Sequence, residues 1–214
     1  MSGLSRRALN RALLHRQFLV RRTGRTALEV IGHLVAMQAQ EPNWPYVGLW
    51  SRIDGFTQTR LSDLLEERTV VRSALLRSTQ HLAVADDFRR LRPVLQPVLD
   101  RTASTPYFRR VSEGLDTDGL IADGARILAG RTLPRRELAR RELARLLALP
   151  GAAMVLPTFL VDGFVHGSWS LKDDTLRLVP FRPLRPAEMS AVTEEAERMM
   201  PFLGVRNIAF GQAS

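Results

Sequence analysis

The sequence predicts an α+β protein, mainly helical, whose C-terminal part is a β-hairpin or small β-sheet followed by a terminal helix. Three observations carry that expectation. Apolar residues recur at helical spacing through much of the first 68 positions and again over 186–203. The stretch "TVVRSALLRSTQHLAVA", residues 69–85, has the β-branched and apolar content of two short strands. In "TFLVDGFVHGSW", residues 158–169, Asp162-Gly163 stands between two apolar runs, the signature of a type I′ hairpin turn.

Taken in order, residues 4–22 read as a helix with Leu9, Leu13 (or Ala12) and Phe18 inward and Arg on the other faces, broken by Thr23-Gly24. Thr26 with Glu29 forms a capping box. Ala27, Ile31, Leu34 and Val35 then trace one face, and Gln38, one turn after Leu34, continues the buried side. A third helix over about 59–68 places Leu61, Leu64 and Leu65 inward. Three helices followed by a hairpin is the order of a winged-helix unit, a helix-turn-helix variant. Asp86 caps a further helix, "DDFRRLRPVLQPVLDR", in which Pro93 and Pro97 argue for irregularity or an early stop.

Residues 100–120 read as a linker or loop. The segment 131–151 reads as one helix, with Thr132 as cap, Pro134 in the first turn, Ala139, Leu143, Leu146 and Leu147 on one face, and Pro150-Gly151 closing it. "TLRLVPF" supplies a third strand after the hairpin, and 186–203 form the last helix. The expected division is residues 1–110, a connecting 111–153 with a remnant helical segment, and a β-rich 154–214.

Composition narrows the function. The 214 residues suffice for one domain or two small ones with a real core. No run approaches the ~18 apolar residues of a membrane span, and the Arg-rich start lacks a secretory signal, so the expected address is the cytoplasm. The absence of cysteine excludes disulfides, thiolate metal sites and a Cys nucleophile. Four scattered His without ligand spacing point to no metal, and nothing calls for a cofactor. The net charge is +9, and every basic residue but Lys172 is Arg. Guanidinium groups suit phosphate oxygens, which makes nucleic acid the leading partner; coding bias toward Arg is the plainer alternative. Nine Arg against Glu29, Glu41 and Asp54 in the first 60 residues make the N-terminal third the expected contact surface.

"MQAQEPNWPYVGLW", residues 37–50, is the sharpest local feature. Pro42 biases Glu41 away from helical dihedrals, and in an extended chain positions i and i+2 face one side. Gln38 and Gln40 can then present two carboxamides to one small volume, where an amide carbonyl holds a water and aims it. The plain alternative has Gln38 capping helical carbonyls and Gln40 solvated. Glu41 is a base or a surface acid. Trp44, Tyr46 and Trp50 either stack on unpaired bases or anchor the core. His81, alternating with Thr79 on the second strand and following Arg77, either touches phosphate or base or is packed. No Gly-rich phosphate loop or nucleophile elbow is present.

"LVAMQAQEPNWPYVGLWSRIDGF", "VVRSALLRSTQHLAVADDFRRLRPVL" and "PTFLVDGFVHGSW" together resemble the winged-helix DNA-binding proteins of the AlkZ type, DNA glycosylases that unhook interstrand crosslinks and remove bulky alkylated purines. The resemblance is close over about 1–110 and 155–203 and weak over 130–148. It implies tandem winged-helix units with a β-rich C-terminal part, and a Gln-x-Gln or Gln-x-Asp catalytic motif matched by Gln38-Ala39-Gln40. Gln40 would position the water and Gln38 would hold the motif or the sugar edge, with double-stranded DNA as substrate and no obligate protein partner. The expected DNA contacts are Arg21, Arg22 and Arg52 along a groove, with Trp44, Tyr46, Arg77 and His81. Proteins of this type are usually longer, so the chain reads as shortened between 147 and 163. A non-catalytic winged-helix DNA-binding protein, regulator or inactive relative, is the alternative.

Overall fold

The computed structural model describes residues 5–133, 137 and 157–211. The chain forms two compact units, one of residues 1–90 with 155–214 and the other of residues 91–154. Among the described residues no helix is long and apolar enough to cross a membrane.

In the first unit, helix α1 spans Arg6–Arg16, with the Ser5 hydroxyl accepting from the Ala8 N–H. It is shorter than its apolar pattern predicts and buries no side chain: Leu9, Leu13 and Ala12 face solvent, while Phe18 packs against the core. The helix instead leans its Asn10 and Leu14 side on the turn at Gly163. The Asn10 amide donates to the Gly163 carbonyl, and Arg7 pairs with Asp162 at 2.9 Å. Gly163 has φ +82°, a conformation that glycine adopts without strain.

Helix α2, Ala27–Leu34, opens on the expected capping box, with Thr26 Oγ1 accepting from the Glu29 N–H and Glu29 accepting from the Thr26 N–H. It ends at Leu34 because Val35 adopts φ 64°, ψ −49°. Gln38 is therefore not on a buried helix face; it lies in strand β1, Met37–Gln38, and is exposed. A helix the sequence did not announce, α3 at Trp44–Trp50, follows, with Pro45 in its first turn where a missing N–H costs no hydrogen bond. Helix α4 covers Gln58–Glu66 and buries Leu61, with Leu64 and Leu65 packed beside it.

Strands β2, Val70–Ala74, and β3, Gln80–Val84, form the expected hairpin around a tight turn in which Arg77 and Ser78 have positive φ. The sheet order is β1-β3-β2, all antiparallel, with Met37 opposite Leu82 and Gln38 opposite His81. Its core is built from Val30, Ile31, Leu49, Ile53, Leu61 and Leu82.

Helix α5, Ala85–Ala103, runs through Pro93 and Pro97 without stopping. Both prolines are exposed and lie four residues apart on one side, where water can satisfy the carbonyls they leave free. In the second unit, the expected loop at 100–120 instead holds α6, Pro106–Ser112, and the start of α7, Thr117–Leu128, which Asp116 caps through the Gly119 N–H. The helix expected over 131–151 lies almost entirely outside the described residues.

The C-terminal part of the first unit matches its expected elements and adds one. Strands β4, Thr158–Val161, and β5, Phe164–Lys172, meet at Asp162-Gly163, both with positive φ as a type I′ turn requires. Strand β6, Thr175–Pro180, helix α8, Pro186–Leu203, and the unanticipated strand β7, Asn207–Phe210, complete a sheet of order β4-β5-β6-β7 with a parallel β6–β7 pair. A second core gathers Leu176, Leu178, Val192, Ala196 and Met199. Trp50 borders both cores and stacks on Phe202 at 5.9 Å between centroids.

At the start of α8, the buried Glu188 carboxylate accepts from Arg182, from Arg185 and from the Arg185 backbone N–H, and these bonds hold its carboxyl far below the ordinary value of 4.5. The charged form is thus favoured by folding. Its contribution is present at neutral pH and is lost as acid drives the pH down through the depressed value. Glu188→Gln is expected to lower the melting temperature at pH 7 and to flatten the fall in stability below about pH 4.5, as read by thermal melts across pH. Equal slopes for both proteins would show that the carboxylate does not stabilise the fold.

Candidate nucleic-acid site at the amide pair

Residues 37–40 alternate sharply: Met37 is 7% exposed and Ala39 0%, whereas Gln38 is exposed and Gln40 half-buried. The extended chain therefore sends its two amides away from the core, as the i, i+2 spacing predicts. The arch that carries them is held on three sides. The Ala39 N–H donates to the Gln80 carbonyl at 2.8 Å. Arg72 donates from Nε to the Ala39 carbonyl at 2.8 Å and from a terminal nitrogen to the Gln40 carbonyl at 2.9 Å. The Gln40 side-chain carbonyl accepts from the Gln80 N–H at 3.2 Å, and Gln38 Oε1 lies 3.5 Å from an Arg77 nitrogen at the hairpin turn.

Gln38 opens onto a cavity of about 690 Å³, together with Arg16, Gln17, His33, Trp44 and Arg52. Gln40 is not among the residues that line it. His33 contacts the Arg16 carbonyl through Nε2 at 2.8 Å and rests on Phe18, 4.6 Å between centroids. Because a carbonyl only accepts, that nitrogen is the protonated one. Arg52 is half-buried; one terminal nitrogen donates to the Gly48 carbonyl at 2.7 Å, its buried Nε has no partner among the described residues, and burial lowers its pKa.

The expected groove of Arg21, Arg22 and Arg52 does not form. Arg22 donates to the Trp50 carbonyl at 3.0 Å, pairs with Glu195 at 2.7 Å and lies over the Trp50 ring, so its fork ties the two sheets' cores together. Arg21 is exposed but does not line the cavity. Two further expected contacts are occupied within the fold. Tyr46 packs on the first core with its hydroxyl 3.1 Å from Ser62, and His81 is only 5% exposed with Nδ1 on the Thr79 carbonyl at 2.8 Å. Of the expected residues, Gln38, Trp44 and Arg52 share the cavity and Arg77 lies at Gln38, while Gln40 sits on the same arch outside it.

Sequence reasoning missed Arg16, Gln17 and His33, whose approach to the cavity depends on how α1 and α2 pack. It also missed Arg72, for which a signal exists: the residue shares a strand face with Val70 and Ala74 and stands opposite the buried Leu82. Arg72 is exposed, so its bonds to the arch carbonyls follow from its place on the strand and not from a need to pair a buried charge.

Comparison with known proteins now has a site to refer to. A model of the AlkZ-like DNA glycosylase family matches residues 31–148 and 142–202. Among solved structures, DNA glycosylase AlkZ from Streptomyces sahachiroi superposes with a TM-score of 0.76 at 15% identity, over 99% of this chain and 100% of that one. No curated protein matches by sequence. The two matched stretches overlap at 142–148 and the superposition reaches 100% of the solved chain, so neither comparison shows the shortened middle expected from the sequence. With the family model spanning most of its length, this chain belongs to the AlkZ-like DNA glycosylase family.

Proposed function

We propose that this protein is a DNA glycosylase that hydrolyses the N-glycosidic bond of alkylated or interstrand-crosslinked purines in duplex DNA, with Gln38 and Gln40 as its catalytic residues. The observation that carries the reading is the pinned arch: two carboxamides, directed away from the core beside Arg77, on a backbone that Arg72 and β3 fix. The N-terminal order of α2, β1, α3, α4, β2 and β3, with β1 joining the hairpin from outside, supports a winged-helix unit. Residues 1–110 would carry binding and chemistry, and 154–214 the β-rich support.

The chemistry suits amides. Alkylation at N7 or N3 gives the purine a positive charge, so when the C1′–N bond breaks its electron pair neutralises the leaving base and no strong general acid is needed. The sugar is left as an oxocarbenium ion; water adds to C1′ from the open face and gives up a proton to solvent. A carboxamide carbonyl has two lone pairs. The Gln80 N–H takes one on Gln40 and so fixes the direction of the other toward water, while Gln38 steadies the sugar edge.

The deciding test is incubation with duplex bearing an N7-alkylguanine, followed by assay for abasic sites. Abasic product is expected; intact strands after long incubation with bound protein would reject the enzyme. Binding is expected to weaken about 10²-fold between about 50 and about 200 mM salt if about four phosphates are neutralised. A flat salt response in a filter or anisotropy assay would remove the arginine surface from the argument. Arg72→Met is expected to lower kcat about tenfold with little change in KM, because it loosens the arch without touching substrate. An unchanged kcat would show that β3 alone holds the motif.

A second reading, a non-catalytic DNA-binding relative, is favoured by one observation: both amide oxygens already face donors of this chain. It predicts salt-steep binding with no abasic product from any alkylated duplex.

A further inference from the structure

A second cavity lies on the other side of Arg52, within the same unit. It holds about 610 Å³ between α3, the β4–β5–β6 sheet and α8, and its walls include Trp50, Trp169, Phe159 and Leu178. That size and apolar lining are typical of sites for small organic ligands. Two of the charged groups around it are already engaged: Glu195 with Arg22 and Arg198, and Asp162 with Arg7. Arg52 differs. It lines the cavity, is half-buried with its Nε sealed from water, and has no carboxylate partner among the described residues; the guanidinium's one hydrogen bond there is to the Gly48 carbonyl. A cation withdrawn from water without a counter-ion is costly unless something anionic completes it.

We propose that this cavity is a binding site for a planar aromatic carboxylate, its rings against Trp169 and Phe159 and its carboxylate on the Arg52 guanidinium. Aromatic walls favour a flat ring system, and a guanidinium fork matches the two oxygens of a carboxylate. The site is separate from the amide pair and does not rest on the reading of Gln38 and Gln40. Arg52 lines both cavities, so a ligand here would touch the residue that also faces the DNA side.

The probe is indole-3-carboxylate, with uncharged indole as comparator, measured by titration calorimetry and by saturation transfer from protein to ligand. The intact protein is expected to bind the carboxylate at least about tenfold more tightly than indole, the fold-change of one charge-assisted hydrogen bond. Arg52→Met is expected to bind the two probes equally. Ala191→Trp, placed at an exposed position on the cavity wall, is expected to block both while leaving the melting temperature near that of the parent. Indole bound as tightly as indole-3-carboxylate, unchanged carboxylate binding in folded Ala191→Trp, or no binding by the parent protein at millimolar probe would each overturn the site.

Discussion

Replacing both Gln38 and Gln40 with Ala is expected to slow release of an N7-alkylguanine from duplex DNA on the order of 10²-fold or more, the loss usual when a pre-aimed polar group leaves a reaction centre. Binding to the unmodified duplex should change little, because phosphate contacts come from guanidinium groups. The single variants should differ in kind. Gln40→Ala removes an oxygen already aligned by the Gln80 N–H, so its loss falls on kcat. Gln38→Ala removes an exposed amide at the cavity mouth and is expected to raise KM as well. Single-turnover base release at saturating enzyme measures the first effect and a titration of enzyme the second. A double variant as fast as its parent would dismiss both residues from the chemistry.

The largest expected loss of stability comes from Leu49→Ala. Leu49 is fully buried, 0% exposed, on the helix that follows the arch, and packs among the apolar side chains of α2, α4 and β3. Truncating such a side chain costs about 2–5 kcal/mol, a large share of the 5–15 kcal/mol that typically holds a domain together. Urea unfolding should show a lower midpoint with a similar slope. Val94→Ala, at a position 73% exposed, should stay within about 0.5 kcal/mol of the parent. If Leu49→Ala shifted the midpoint no further than Val94→Ala, α3 would not be seated as described.

What could be read from residues alone was local or periodic. The Thr26 to Glu29 capping box and the Asp162-Gly163 turn are set by neighbours three residues apart or less, and both formed. The last helix begins and ends where its pattern places it. What failed needed the rest of the fold. Helix α2 stops because of the strained dihedrals at Val35, which no residue preference announces, since a β-branched side chain disfavours positive φ. No helix was expected over 44–50, yet Pro45 sits in the first turn of one. Within the site, the spacing of the amides was legible because strand alternation is a property of the backbone. The fate of Arg22 was not, since a partner distant in sequence, Glu195, claims it; for Tyr46 and His81 packing was one of two readings the residues left open, and only the fold chose it.

Trp50 touches both apolar clusters and carries Phe202 on one side and Arg22 at its ring. One indole thereby joins the two clusters, and the amino-terminal helices and the carboxy-terminal sheet are expected to melt together instead of in sequence. Removing the last strands is consequently expected to loosen the packing of Trp50 at the end of α3, though no residue of those strands lies near it in the chain.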